Sequence, residues 1–208
     1  MFNLHKSLIV ILLLSLMSSC TSIKTNKNHN TSSAEKLCLW LLPDSNSKKL
    51  LDQVMIEIQN KTNEPYFQPH VTLFCGTTTN IKSLKENLKR TFDDEKIIHA
   101  TIDPAKEGYK FFKKLYYPLN MNNQLYQANI KAKKLDPNSE YIFMPHISLF
   151  YGQSLPTEIL DIAKNYKLNT QNISFDKIRI IKDCSVENYS CIEKWENLFE
   201  ISFGTIHK

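Results

Sequence analysis

Two octets carry the residues best suited to chemistry: Pro69-His70-Val71-Thr72-Leu73-Phe74-Cys75-Gly76 and Pro145-His146-Ile147-Ser148-Leu149-Phe150-Tyr151-Gly152. Each holds an imidazole and, two residues later, a hydroxyl. On an extended strand residues i and i+2 face the same way. His70 and Thr72 therefore share one face and Val71 and Leu73 the other; His146 and Ser148 stand likewise against Ile147 and Leu149. A single H-x-T on a strand reads most simply as a partly buried structural histidine. The doubled octet reverses that reading, because a core strand repeated by ancestry alone would keep apolar residues on its inner face as readily as His and Thr. If the repeats pack face to face, two imidazoles and two hydroxyls converge on one cleft. Imidazole titrates near neutrality, so the pair suits general acid–base catalysis, one ring neutral and one protonated. Two imidazoles also suit a metal, but such sites add a carboxylate, a third His or a Cys, and H-x-T and H-x-S supply none, so neither metal nor cofactor is expected. No G-x-S-x-G supports a serine hydrolase. His5, His29, His99 and His207 have no comparable setting.

The elements that must position the octets repeat as well. Leu37–Leu42 is a short apolar run ending at Pro43 and reads as a strand. Asp44 or Ser45 caps a helix to about Asn60, with Leu50, Leu51, Val54, Met55 and Ile58 at helical spacing. The first octet is a strand, followed by a helix over about 81–91 and strands near 97–102 and 111–117. The pattern then restarts: Leu115–Pro118 resembles the first strand, Leu125, Ala128, Ile130 and Ala132 lie in a helix, and the second octet follows. A helix near 157–166 and strands near 173–181 and 198–203 complete the chain. Trp40 precedes His70 by 30 residues and Tyr117 precedes His146 by 29. Matching features at near-equal spacing indicate a duplication. Strands and helices intermix without strict βαβ order, so the expected class is α+β, a duplicated two-lobe fold of antiparallel sheets, outer helices and a central cleft.

Composition narrows the alternatives. The chain has 208 residues, 42% hydrophobic and 23% charged, which suits one globular domain of two similar lobes. Only 4 glycines are present, and neither GxGxxG nor GxxxxGK[ST] occurs. The net charge of +5 is spread along the chain, as on a solvated surface and not in a nucleic-acid stripe. Residues 1–19 hold one Lys and a ten-residue apolar run, too short to span a bilayer, and read as a secretory signal. Cys20 follows two serines, in the manner of a bacterial lipoprotein signal, so the chain is expected to be exported and membrane-anchored at Cys20, with simple secretion as the alternative. Residues 20–35 are polar and read as a tether, and residues 36–206 as the folded domain. Export permits disulfides. Cys38, Cys75, Cys184 and Cys191 allow three pairings; Cys184 and Cys191, flanking a short polar loop, are the favoured pair, with Cys38 and Cys75 as buried thiols in strands.

The doubled H-x-[ST] resembles the signature of the two-histidine (2H) phosphoesterase superfamily. Leu39-Trp40-Leu41-Leu42-Pro43, Phe111-Phe112, Met144 before the second octet, Tyr151 and Trp195-Glu196 make the chain most similar to its cyclic phosphodiesterases, over about 37–203. The resemblance implies metal-independent opening of a small nucleotide's cyclic phosphodiester, either ADP-ribose 1″,2″-cyclic phosphate or nucleoside 2′,3′-cyclic phosphates. His70 and His146 would be acid and base, and Thr72 and Ser148 would hydrogen-bond the non-bridging oxygens as charge builds there. It also implies a phosphate or water contact from Tyr151 and a base- or ribose-stacking surface from Trp40. Phe112 is expected to line the cleft. Against these stand plain core packing for Trp40 and, for Tyr151, its i+5 position from His146, which faces away unless the strand bends or ends first. Alternative functions are action on RNA 2′,3′-cyclic ends or 2′,5′-linked oligonucleotides, or non-catalytic binding of a phosphorylated ligand. A monomer without protein partners is expected.

Overall fold

The computed structural model describes residues 33–183 and 188–204. The expected signal segment 1–19, Cys20 and Cys184 lie outside the described residues, as does most of the expected tether; its last residue, Glu35, already opens the first strand. The elements in chain order are β1 (Glu35–Pro43), α1 (Ser45–Thr62), β2 (Val71–Thr78), α2 (Ile81–Phe92), β3 (Ile98–Thr101), β4 (Lys106–Lys110), β5 (Lys113–Pro118), α3 (Asn123–Lys133), β6 (His146–Phe150), α4 (Thr157–Asn165), β7 (Asn172–Lys182), α5 (Tyr189–Ile192) and β8 (Glu196–Ser202). The class is α+β with antiparallel sheets, as the sequence predicts.

The first sheet runs β2-β1-β7-β3, with β8 also paired to β7, and the second runs β4-β5-β6. Each sheet contains one copy of the repeated unit: β1-α1-β2 in the first, β5-α3-β6 in the second. β7 belongs by sequence to the second half but is inserted beside β1 in the first sheet, so the lobes share a strand and are not self-contained repeats.

Strand register corrects the expected match between Trp40 and Tyr117. Trp40 lies opposite Thr72 in the β1–β2 ladder, and the residue opposite Ser148 in the β5–β6 ladder is Tyr116. Tyr116, not Tyr117, is the counterpart of Trp40, and both precede their histidine by 30 residues. Tyr117 points the other way on the pleat, is buried in the core, and donates its hydroxyl to the Ala163 carbonyl at 3.4 Å. The strand expected over 111–117 is likewise revised: β4 and β5 form a hairpin with Phe111-Phe112 at its turn. β4, Lys-Glu-Gly-Tyr-Lys, is largely exposed on both faces, so it carries no apolar alternation to reveal it.

One face of each octet strand packs on the helices. α1 begins where the Asp44 carboxylate accepts from the Ser47 amide at 2.7 Å. It buries Leu50, Leu51, Val54, Met55 and Ile58 in a core that includes Leu39, Leu41, Val71, Leu73, Leu115, Ile147 and Leu149. The opposite faces carry the polar octet residues. Removing that apolar surface from water supplies most of the driving force, at roughly 25 cal/mol per Å², and it fixes which face each imidazole occupies.

Cys38 and Cys75 are not free buried thiols. They lie directly opposite each other in the β1–β2 register and form a disulfide with Cα atoms 4.1 Å apart, close to the separation of antiparallel partners that do not exchange hydrogen bonds. Register, which sequence spacing does not reveal, makes the pair. Cys191 is also disulfide-bonded. Replacing Cys38 and Cys75 together by serine is expected to lower the unfolding free energy by about 2–4 kcal/mol in urea titrations; a loss below about 0.5 kcal/mol would show that the bridge does not tie the sheet.

Candidate active site

Both octet histidines are held in the same way. The His70 ring Nδ1 lies 2.7 Å from the Gln68 carbonyl, and the His146 Nδ1 lies 2.7 Å from the Met144 carbonyl. A carbonyl only accepts, so each Nδ1 carries a proton and each neutral ring keeps Nε2 as its free base. In both places the accepting residue precedes the octet's proline, which restricts the backbone between ring and carbonyl. Gln68 is itself fixed: Arg179 Nη1 donates to its Oε1 at 2.7 Å, and Arg179 Nε donates to Glu200 at 2.8 Å. His70 also lies flat on Trp40, with centroids 3.6 Å apart and planes at 10°, whereas Tyr116 meets His146 edge-on at 5.4 Å.

The glycine closing each octet has a shared cause. A Cβ on Gly76 would lie 2.9 Å from the Phe74 ring, and one on Gly152 would lie 2.8 Å from the Phe150 ring. In each copy the phenylalanine two residues earlier folds over the glycine, so no other residue fits without moving a core aromatic.

The hydroxyls are placed differently. Thr72 is half-buried and lines the cleft, and its side chain makes no hydrogen bond to another described residue. Ser148 is buried, and its Oγ donates to the Phe112 carbonyl at 2.8 Å. Thr72 is thus ready to donate to a ligand, while Ser148 must exchange its carbonyl partner to do so. Thr72→Val is expected to cost activity, about 10-fold or more, and little stability. Ser148→Ala leaves the Phe112 carbonyl without its donor, so it is expected to cost about 1–3 kcal/mol of stability as well. Paired kinetics and thermal melts check both; equal melting temperatures for the two variants would contradict the assignment.

These groups meet in a cleft of about 250 Å³, lined by Trp40, His70 and Thr72 from the first copy and His146, Ser148 and Tyr151 from the second. Tyr141, just before the second octet, binds the halves together by donating its hydroxyl to the Thr72 carbonyl at 2.9 Å. Tyr151 reaches the cleft because β6 ends at Phe150. Its ring stacks on Phe67 at 3.8 Å, and burial pushes its phenol above the usual tyrosine range. Trp40 is only 6% exposed, and one face of its indole is covered by His70. A base stacked on that face would have to displace the imidazole, so Trp40 serves as backing for His70.

Electrostatics set the resting protonation state. Burial, helped by the charges of His146 and Arg179 and opposed by the Gln68 hydrogen bond, pushes the His70 pKa down to about 3. Burial and the nearby Lys113 ammonium also hold His146 below the ordinary histidine value. Burial thus draws both rings toward the neutral form at pH 7. Among the described residues no group of three or more His, Cys, Asp or Glu side chains is placed to hold a metal ion.

The sequence model of the family described as cyclic phosphodiesterase-like protein matches residues 36–174, more than half of the chain and both octets. The chain belongs to this family. No curated protein matches it in sequence. The cyclic phosphodiesterase-like fold recurs in distant solved structures. Escherichia coli LigT complexed with NADP+ is 13% identical, with a TM-score of 0.52 over 83% of this chain and 99% of that one. The protein TT0787 of Thermus thermophilus is 11% identical, with a TM-score of 0.52 over 83% of this chain and 100% of that one. At these identities the likeness is one of fold.

Three further residues of the cleft have no site role in the sequence reading. Trp195 meets Trp40 edge-on at 4.9 Å and Phe112 at 5.8 Å, so it touches both copies, and its Nε1 donates to Asp183 at 3.3 Å. Lys110 and Lys113, flanking the Phe111-Phe112 turn, also line the cleft. Neither lysine sits in a motif, and Trp195 enters the sequence reading only through the Trp195-Glu196 pair, without a place in the cleft; the hairpin and the short segment before β8 bring all three there.

Proposed function

We propose that the protein hydrolyses the cyclic phosphodiester of a small nucleotide, without a metal, by two-histidine acid–base catalysis. The observation that carries this reading is the pair of imidazoles in one cleft, each with its proton held at Nδ1 by a backbone carbonyl and its Nε2 left for the ligand. One neutral ring takes a proton at Nε2 from a water that attacks phosphorus. The bond from phosphorus to one ribose oxygen breaks, and the other ring, protonated, delivers its proton to that oxygen. Water adds across one P–O bond and a phosphomonoester remains. Thr72, and Ser148 after exchanging its partner, bind the non-bridging oxygens, and Tyr151 in the cleft lining is a further phosphate or water contact. Because both rings rest neutral, the catalytic proton enters with the anionic substrate, whose charge favours imidazolium. Escherichia coli LigT, which shares the fold, has been crystallised with 3′-AMP and with ATP, in keeping with a nucleotide ligand.

The Cys38–Cys75 disulfide supports an oxidising compartment. We therefore propose export, with attachment to a membrane through Cys20, which Cys20→Ser should release into the soluble fraction.

The direct test incubates the protein in EDTA with ADP-ribose 1″,2″-cyclic phosphate and with each nucleoside 2′,3′-cyclic phosphate. Turnover of at least one is expected. Folded protein that opens none of them, while cleaving 2′,5′-linked oligonucleotides or only binding phosphorylated ligands, would overturn the reading.

A further inference from the structure

We propose that Lys110 and Lys113, at the tip of the β4–β5 hairpin, form a second anion subsite of the cleft, so that the preferred substrate carries a further phosphate besides the cyclic one. This rests on the function proposed above and names its substrate class. The two lysines lie opposite each other in the hairpin register, and both line the cleft. Neither has a carboxylate partner among the described residues, whereas the adjacent Lys114 is paired with Glu107 at 3.1 Å. Lys113 is held by groups that orient it without neutralising it: its ammonium lies 5.9 Å from the Tyr109 ring centroid, 5.5 Å from that of Tyr116 and 3.5 Å from the Met144 sulfur.

The hairpin is built tightly enough to keep the two charges together. A Cβ on Gly108 would lie 2.0 Å from the Lys113 carbonyl oxygen, so only glycine allows β4 to cross β5 there. Burial and the Lys110 charge together lower the Lys113 pKa, the mark of a like-charge pair that a bound anion would relieve. Asp183, also in the lining, does not serve as that anion, because Lys36 at 2.9 Å and the Trp195 indole already engage its two oxygens. The cyclic phosphate, for its part, is supplied with two imidazoles and two hydroxyls, and the lysines are surplus to it. A cation pair on the rim beside the cleft fits a second phosphate on the same nucleotide.

The experiment compares kcat/KM for adenosine 2′,3′-cyclic phosphate and for the same compound bearing a 5′-phosphate. The wild type is expected to prefer the 5′-phosphorylated compound roughly tenfold, the scale of a charge-assisted contact. That ratio should fall to near unity in Lys110→Met/Lys113→Met, and should shrink in the wild type as ionic strength is raised to about 1 M. A ratio near unity in the wild type would overturn the proposal. So would a variant that loses both substrates in parallel, since the lysines would then serve the cyclic phosphate itself. Calorimetric titration with adenosine 3′,5′-bisphosphate and with 3′-AMP reads the subsite without turnover: roughly tenfold tighter binding of the bisphosphate, lost in the double variant, is expected. Equal affinities would sink the subsite. The bisphosphate preference without turnover of any cyclic phosphate would sink the proposed reaction and leave the subsite standing.

Discussion

Replacing either His70 or His146 by alanine is expected to lower kcat/KM by roughly 10²–10⁴-fold, the usual contribution of one positioned acid or base. The two losses should not add in the double variant, because an acid without its base cannot complete the transfer. His70→Ala also removes the ring that lies on Trp40 and receives support through Gln68 and Arg179. A stability change is therefore expected alongside the rate change, and the comparison must be made below the melting transition of each variant. His146 is partly exposed and has no flat-stacked partner, so His146→Ala is the cleaner probe of chemistry. Arg179→Met, which frees Gln68 without entering the cleft, should lower kcat more than it raises KM. Retention of wild-type kcat in Arg179→Met would show that the chain behind His70 does not position the ring.

The pH dependence of kcat/KM is the second large effect. This parameter reports ionisations of the free enzyme, and a cyclic phosphodiester stays a monoanion throughout the working range. Catalysis needs one proton on the imidazole pair. His70 is pushed down to about 3 and His146 also lies below its ordinary value, so the singly protonated enzyme becomes scarcer as pH rises through neutrality. Above both pKa values kcat/KM should fall nearly tenfold per pH unit, so about 100-fold across two units on the alkaline side of 6.5. The profile of kcat should turn over at higher pH, because the bound anion raises the pKa of both rings. A kcat/KM that is flat or rising between pH 6.5 and 8.5 would show that burial of the two rings does not set their protonation state.

How much of this was legible in the sequence follows the range of the interactions involved. The octets announce themselves because strand alternation is local: His and Thr or Ser two residues apart must share a face, and the structure sets both faces on one cleft. The helices under them follow from equally local signals, such as Asp44 capping the run from Leu50 to Ile58. Features that depend on pairing between distant segments were out of reach. Whether Trp40 answers to Tyr116 or Tyr117 is a matter of register, and a one-residue slip reverses the face. Cys38 and Cys75 are 37 residues apart, and only the β1–β2 ladder makes them partners. Tyr151 depended on where β6 stops. Lys110, Lys113 and Asp183 come from a polar hairpin and the end of β7, and Trp195, legible only as part of the Trp195-Glu196 pair, from a short connection; tertiary packing alone decides where they stand.

The most direct measurement follows a nucleoside 2′,3′-cyclic phosphate by phosphorus NMR in ¹⁸O-labelled water with EDTA present. The wild type is expected to convert the cyclic signal to a phosphomonoester carrying one labelled oxygen, and His70→Ala and His146→Ala are expected to leave the cyclic compound intact over the same period. Labelled product formed at an undiminished rate by either variant, or conversion by the wild type that EDTA abolishes, would contradict metal-independent catalysis by the two histidines.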